Sequence, residues 1–175
     1  MKKRILCICG SIREGSINQM LMNEVSSYIK DEVDLMGFRI DRSIPMLDPD
    51  SISTVDLRLI YNMKKSIKDA DGIIISTPEY NGSIPGGLKN IIDWISYKLP
   101  NEEDAKYFYR KKVAIMSAST GVLRGVRAAM HLQDIMMHLK ASICHETLSV
   151  QIVENVLPPH EIISRFAYAL RDFFN

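Results

Sequence analysis

Cysteine is scarce, with three in 175 residues, and three cannot make a disulfide framework. Cys7 and Cys9 lie two apart in an apolar run and so share one strand face. Their spacing is neither Cys-x-x-Cys nor a zinc pattern, and they read as buried apolar thiols. Cys144 carries no flanking signal. An excess of one charge is also missing. A formal net charge of +1 supplies no field to recruit nucleic acid or an anionic membrane, and it argues mildly against an acidic electron carrier that docks by charge. Long hydrophobic runs are absent. The N-terminal run stops at Gly10, short of a signal-peptide core with a cleavage site, and no later segment reaches membrane-spanning length. The expectation is a cytoplasmic protein with no nucleic-acid and no membrane partner. Gly-x-Gly-x-x-Gly and Gly-x-x-x-x-Gly-Lys-Ser/Thr are both lacking, which disfavours a dinucleotide pyrophosphate on a bare glycine turn and an NTPase. His131, His138 and His145 recur every seven residues, about two helical turns or roughly 10 Å of rise. That is too far for two ligands of one metal ion, and they read as solvated or interface histidines.

What is present is alternation. Arg4 to Cys9 reads as a first strand, and Ile17, Leu21, Val25, Tyr28 and Ile29 mark a helix face. Val33 to Phe38 is a weaker strand interrupted by Gly37, and Arg42 to Ser53 is a Pro/Asp/Ser-rich loop. Ser53 with Asp56 resembles a capping box, ahead of a stripe of Val55, Leu59, Met63 and Ile67. Gly72 to Ser76 is short, β-branched and apolar throughout, which is how a strand buried on both faces reads. Leu88, Ile91, Ile92, Ile95 and Leu99 then repeat at helical spacing. Lys112 to Ser117 is a strand, Leu123 to Lys140 a helix, Thr147 to Val153 the last strand, and Ile163 to Phe174 a terminal helix. About five strands alternating with helices predict a doubly wound parallel sheet covered on both faces, with residues 1–175 as one domain. The polar stretch Pro100 to Lys112 is the most loop-like insertion. Its Tyr107, Phe108 and Tyr109 either tuck it down or form a lip.

Three loops follow predicted strands at the edge where such sheets bind ligands. The first, Gly10-Ser11-Ile12-Arg13-Glu14-Gly15-Ser16-Ile17-Asn18, opens a helix. Backbone N–H groups, the Ser11 and Ser16 hydroxyls and the Arg13 fork suit a terminal phosphate monoester, whereas Asn18 either donates or supports the loop. The bland alternative is a helix cap at Ser16 beside a solvated Arg13. In the second loop, Pro78, Gly82, Pro85 and Gly86 constrain a backbone whose N–H groups around Glu79 to Gly82 can read the edge of a flat heteroaromatic. Tyr80 offers a flat face and Asn81 a donor and acceptor. The third, Ser117-Ala118-Ser119-Thr120-Gly121, can close the far side. A phosphate-ester hydrolase with Asp71 or Glu79 as base fits the first loop as well.

The first loop and, more specifically, Pro78-Glu79-Tyr80-Asn81-Gly82-Ser83-Ile84-Pro85-Gly86-Gly87-Leu88-Lys89-Asn90-Ile91-Ile92-Asp93-Trp94 closely resemble the NADPH-dependent FMN reductase family. The likeness runs from the first strand to the helix after Gly121. It implies an α/β, flavodoxin-like sheet of about five parallel strands in the order 2-1-3-4-5. It also implies FMN as cofactor and NADPH or NADH as co-substrate, with hydride passed to bound FMN and on to a quinone, azo compound, metal oxyanion or free flavin. On that resemblance Ser11, Arg13, Ser16, Ile17 and Asn18 hold the FMN phosphate. Pro78, Glu79, Tyr80, Asn81 and Gly82 line the isoalloxazine, and Ser117, Ser119, Thr120 and Gly121 complete the pocket. No catalytic side chain and no metal are then required. Glu79 becomes a loop organiser, and a homodimer or dimer of dimers is expected, with the helix Leu88 to Leu99 contributing. The sequence departs from the family's pattern at Arg124, which stands where the family often carries the first of two glycines. It is either a surface arginine or a contact to NAD(P)H phosphates. The rival from another class is a flavodoxin-type electron carrier without NAD(P)H turnover.

Overall fold

Six consecutive residues from Gly72 to Thr77 are buried, which only a central strand between two helical layers allows. The computed structural model describes residues 1–175 and builds the sheet around that strand. β1 (Lys3–Cys9), β2 (Val33–Arg39), β3 (Gly72–Thr77) and β4 (Lys112–Ser119) run parallel in the order β2-β1-β3-β4. The outer lane beside β4 is divided. β5 (Ser142–Ile143) pairs with Lys112 and Val113, and β6 (Leu148–Gln151) pairs with Met116 to Ser119. The strand expected at Thr147 to Val153 is therefore the second half of an interrupted edge. It ends early because Val153 opens a tight turn closed by Val156 N–H on Val153 O at 2.8 Å.

Pleating sends alternate residues to opposite layers. Leu6, Ile8, Ile73, Ile75, Val113 and Ile115 join α2 (Arg58–Asp69), α3 (Gly86–Ser96) and α4 (Val126–His138) in one core. Ile5, Cys7, Ile74, Ala114 and Met116 join α1 (Ile17–Ile29) and α5 (His160–Phe174) in the other. Gly72 has no side chain because Phe174 covers it, and a Cβ there would lie 2.4 Å from that ring. The cysteines are free and buried, as small hydrophobes, and burial pushes the Cys7 thiol up to about 11.

Three local expectations change. The Ser53–Asp56 capping box does not form, because Pro49–Thr54 is a 3-10 turn capped by Asp48. Asp56 instead holds the Arg58 guanidinium and backbone N–H, and α2 starts there. Leu59 is exposed, and the inner face of α2 is Ile60, Met63, Lys64 and Ile67. The helix α4 begins at Val126 rather than Leu123, because a turn intervenes. The aromatic insertion is tucked down: Phe108 is buried, Tyr107 is half-buried and Tyr109 stays exposed.

Buried Lys64 explains that tuck. Its Nζ donates to Glu102 Oε2 at 2.6 Å and to Tyr97 O at 2.7 Å, and the Tyr107 hydroxyl donates to Glu102 Oε1 at 2.6 Å. Burial raises the Glu102 carboxyl, but hydrogen bonds from Lys64, Tyr107 and Leu99 N–H outweigh it and hold it below its ordinary value. No helix is long and apolar enough to cross a membrane.

Candidate functional site

The parallel strands end together, and three loops meet over their carboxyl ends. Gly10 continues the sheet by donating to Ser76 O at 2.7 Å, and a Cβ on it would strike Leu88 at 2.8 Å. The chain then turns through Gly15, whose φ of +66° suits glycine. Ser16 is extended and caps α1, its Oγ accepting the Asn18 N–H at 3.2 Å. Ser11 Oγ accepts the Arg13 N–H at 3.3 Å. The N–H groups of Ile12, Glu14, Gly15, Ser16 and Ile17 have no protein acceptor. The first turn of α1 carries no acidic residue, so the positive end of the helix dipole stays unopposed. These are the donors a phosphate monoester needs, with Arg13 exposed beside them.

Asn18 belongs to the frame. It is fully buried. Its Nδ2 donates to Ala118 O at 2.8 Å, and its Oδ1 accepts Ala118 N–H at 2.9 Å and Ser76 Oγ at 3.0 Å. One amide thus ties the start of α1 to β3 and β4, so of the two roles open in the sequence it takes loop support. Support also comes from an unforeseen direction. Asn90 and Trp94 on α3 both donate to Pro45 O, and Asn90 Oδ1 accepts Leu47 N–H. This straps the Arg42 to Ser53 loop down, and Arg42 in turn donates to Ile12 O at 2.7 Å.

In the second loop Asn81 and Gly82 have φ of +52° and +75°, and Tyr80 and Ser83 exchange both backbone hydrogen bonds. That is a type I′ turn, for which Asn-Gly is the preferred pair. It consumes the Tyr80 N–H, which is therefore not free to read a ligand, while the N–H groups of Glu79, Asn81 and Gly82 remain without protein acceptors. Tyr80 presents an exposed ring at 46%. Glu79 Oε2 accepts the Arg127 N–H at 3.2 Å in the first turn of α4, a charge placed at a helix N-terminus. His131 Nδ1 lies 3.0 Å from Ser83 Oγ, so α4 grips the ring loop twice.

The third loop departs from expectation. Ser117 is fully buried and donates to Thr77 O at 2.6 Å, so its hydroxyl is spent inside the sheet. Ser119 Oγ instead accepts the Gly121 N–H at 3.1 Å. The result is an open cleft of about 240 Å³ that brings together Ser11, Arg13, Ser16, Ile17, Asn18, Pro78, Glu79, Tyr80, Ser119 and Thr120, all singled out in the sequence. Asn81, Gly82, Ser117 and Gly121, also singled out in the sequence, do not line it. Asn155 lines the cleft and was missed. Its signal is faint: Glu154 and Asn155 take φ of +51° and +60° in the turn that ends β6, and asparagine tolerates that conformation better than most residues. Asp71, considered above as a base, accepts Arg4 N–H at the amino end of the sheet, away from the cleft.

A phosphate cradle at one helix N-terminus, facing an exposed aromatic and free ring-loop amides, defines a mononucleotide-binding α/β protein. The residues fit FMN, since the donors lie at one end and the flat face at the other. The family model for NADPH-dependent FMN reductase matches residues 3–154, and the chain belongs to that family. It is 34% identical over 146 residues to a quinone reductase of Escherichia coli, covering 83% of this chain and 75% of the relative. It is 32% identical over 136 residues to an NAD(P)H-dependent FMN reductase of Pseudomonas aeruginosa, covering 78% and 70%. A solved flavoenzyme NAD(P)H:(acceptor) oxidoreductase, FerB of Paracoccus denitrificans, shares the fold with a TM-score of 0.83 at 22% identity, covering 98% of this chain and 97% of that one.

Proposed function

We propose that residues 1–175 form one FMN-holding NAD(P)H oxidoreductase whose acceptors are small molecules, quinones first among them. The observation that carries this is the cradle of five unpartnered amides at an unopposed helix N-terminus, one cleft away from exposed Tyr80. When bound, FMN supplies the two-electron chemistry, accepting hydride from NAD(P)H and returning it to an acceptor. Ser11, Ser16, Arg13 and the loop amides hold the phosphate. Pro78 to Gly82 present the ring platform, with Tyr80 as its flat face and the Glu79, Asn81 and Gly82 amides as donors to polar ring edges. Ser119, Thr120 and Asn155 bound the far side.

Glu79 acts through its bond to α4 rather than as a base. A carboxylate committed to a helix N-terminus organises the ring loop and has no proton to abstract there. The open cleft would admit co-substrate and acceptor in turn, which suits acceptors with few specific contacts.

The working unit is a homodimer or dimer of dimers in the cytoplasm, where NAD(P)H is supplied. The apolar stripe of α3 is buried in its own core, so the contribution expected from that helix would come through its outer face, where Gly86, Gly87 and Lys89 are exposed. Val126, Met130 and Met137 on α4 are exposed as well.

The purified protein should be yellow or should bind added FMN with quenching of flavin fluorescence. It should then oxidise NAD(P)H in the presence of a quinone. A colourless chain that neither binds nor quenches FMN sinks the proposal.

A further inference from the structure

The turn between β4 and α4 carries an arginine in a conformation that suits glycine. Arg124 has φ +57° and Gly125 φ +77°, and Val126 N–H closes the turn on Leu123 O at 3.0 Å. Both central residues are left-handed, as in a type I′ turn. Gly125 is obligatory, since a Cβ there would lie 2.0 Å from Ser117 Oγ. Position 124 is exposed, and no carboxylate pairs with its guanidinium. Neither packing nor an ion pair within the chain offsets the left-handed backbone. Such an outlier points toward function.

Its place in the fold says which function. Behind the turn, Gly125 presses on Ser117 and Ser119 of the third loop. Ahead of it, Arg127 N–H is held by Glu79, and a Cβ on Gly82 would meet the Arg127 side chain at 3.6 Å. Arg124 therefore stands on the rim between the third loop and the ring platform. Glu79, the acid of the ring loop, is already engaged by α4. A dinucleotide whose nicotinamide meets the ring platform has to run out of the open cleft over one of its rims, and this rim carries an exposed guanidinium with no carboxylate partner. NADPH and NADH differ at the adenosine end by one phosphate monoester, and a guanidinium fork matches a phosphate bidentately.

We propose that Arg124 is a specificity-determining residue that binds the 2′-phosphate of NADPH. This rests on the oxidoreductase reading of the cleft.

The test uses the FMN-loaded protein with uncharged 1,4-benzoquinone as acceptor. Arg124→Gly places glycine at a φ it adopts freely, so the variant should keep its bound flavin and melt no lower than the parent. The KM for NADPH should rise about tenfold relative to that for NADH, as expected for a lost charged hydrogen bond. Arg124→Lys keeps the charge without the fork and should fall between. Calorimetry with 2′,5′-ADP and 5′-AMP reads the same contact without turnover: the variant should lose about tenfold in affinity for the first and little for the second. Equal changes for both nucleotides, or none, overturn the proposal. So does an unchanged NADPH response with a raised KM for anionic anthraquinone-2-sulfonate, which would assign the guanidinium to the acceptor. A parent that binds no FMN yet shows Arg124-dependent binding of 2′,5′-ADP would remove the oxidoreductase reading and keep the arginine contact.

Discussion

The two ends of the sheet treat their polar groups in opposite ways. At the amino end, the polar groups that fasten the loops are matched by charge or by a backbone partner. Lys64 meets Glu102, Tyr107 meets Glu102, Lys111 donates to Ala70 O, and Asp71 accepts from Arg4. At the carboxyl end the donors of the first loop are left open, and Arg13 and Arg124 are unpaired and exposed. One end fastens the loops that close the fold. The other keeps hydrogen-bonding capacity for a ligand. A substitution at the first end should therefore lower stability and spare binding in whatever remains folded, and one at the second should do the reverse.

The sharpest way to break that contrast is Glu102→Ala. It strands the ammonium of Lys64, whose side chain is 2% exposed. Removing one partner of a buried pair costs about 3–5 kcal/mol. The unfolding free energy from urea titration should fall by that amount, while FMN affinity, measured well below the midpoint, stays within twofold. A large loss of FMN affinity there would show that the two ends are coupled. Asn18→Ala tests the exception, because Asn18 sits at the binding end yet is satisfied on every side. It leaves both polar backbone atoms of buried Ala118 without their partner, at a cost of roughly 2–3 kcal/mol. Stability should drop, and FMN should bind more weakly because the cradle loses its anchor to β3 and β4. If FMN affinity falls while the melting temperature holds, Asn18 is a ligand after all.

Arg13→Ala probes the binding end by itself. Stability should stay within about 0.5 kcal/mol, as for exposed side chains without special partners. FMN affinity should fall by roughly 1.5–3 kcal/mol if the guanidinium bonds the phosphate. Fluorescence titration separates the two, and an unchanged affinity makes Arg13 a solvated bystander.

This difference between the ends also governs how much the sequence discloses. β3 and α3 were legible because burial on both faces or on one stripe leaves a period in the chain. The cleft was legible because glycine, proline and hydroxyl residues are local requirements of a loop that must bend and donate. Lys64 was not, since nothing near it in sequence announces Glu102, 38 residues later. A lysine on a helix reads as solvated until its partner is placed. Asn90 and Trp94 were legible as members of a motif but not as straps for the Pro45 loop, which is a contact across 45 and 49 residues. The hydrogen bond of the Ser117 hydroxyl was hidden for the opposite reason. A serine at a strand end reads as a donor to ligand, and only the Thr77 carbonyl on the neighbouring strand shows where its hydrogen goes. The divided edge of β5 and β6 escaped because a two-residue strand leaves no period at all.

The smallest expected effect concerns the hydroxyl of Tyr107, and pH resolves it. Burial, and then the hydrogen bond to Glu102, push this phenol up to about 12 from an ordinary value near 10. Between those values the unfolded chain has lost the proton and the folded chain keeps it. The unfolded state then binds fewer protons, so stability falls as pH rises. The contribution of this group is complete below pH 10 and is lost as pH approaches 12. The Glu102 carboxyl, held below its ordinary value, has the opposite sign. Its contribution is present above about pH 4.5 and fades as acid protonates it. Tyr107→Phe should cost about 1 kcal/mol at pH 7, the usual net value of one hydrogen bond. The stability difference between parent and variant should stay flat from pH 7 to 10 and close above it, as read by urea midpoints. A difference that remains constant up to pH 12 would mean the phenol titrates alike in both states, and the network at the amino end would then reduce to Lys64 and Glu102.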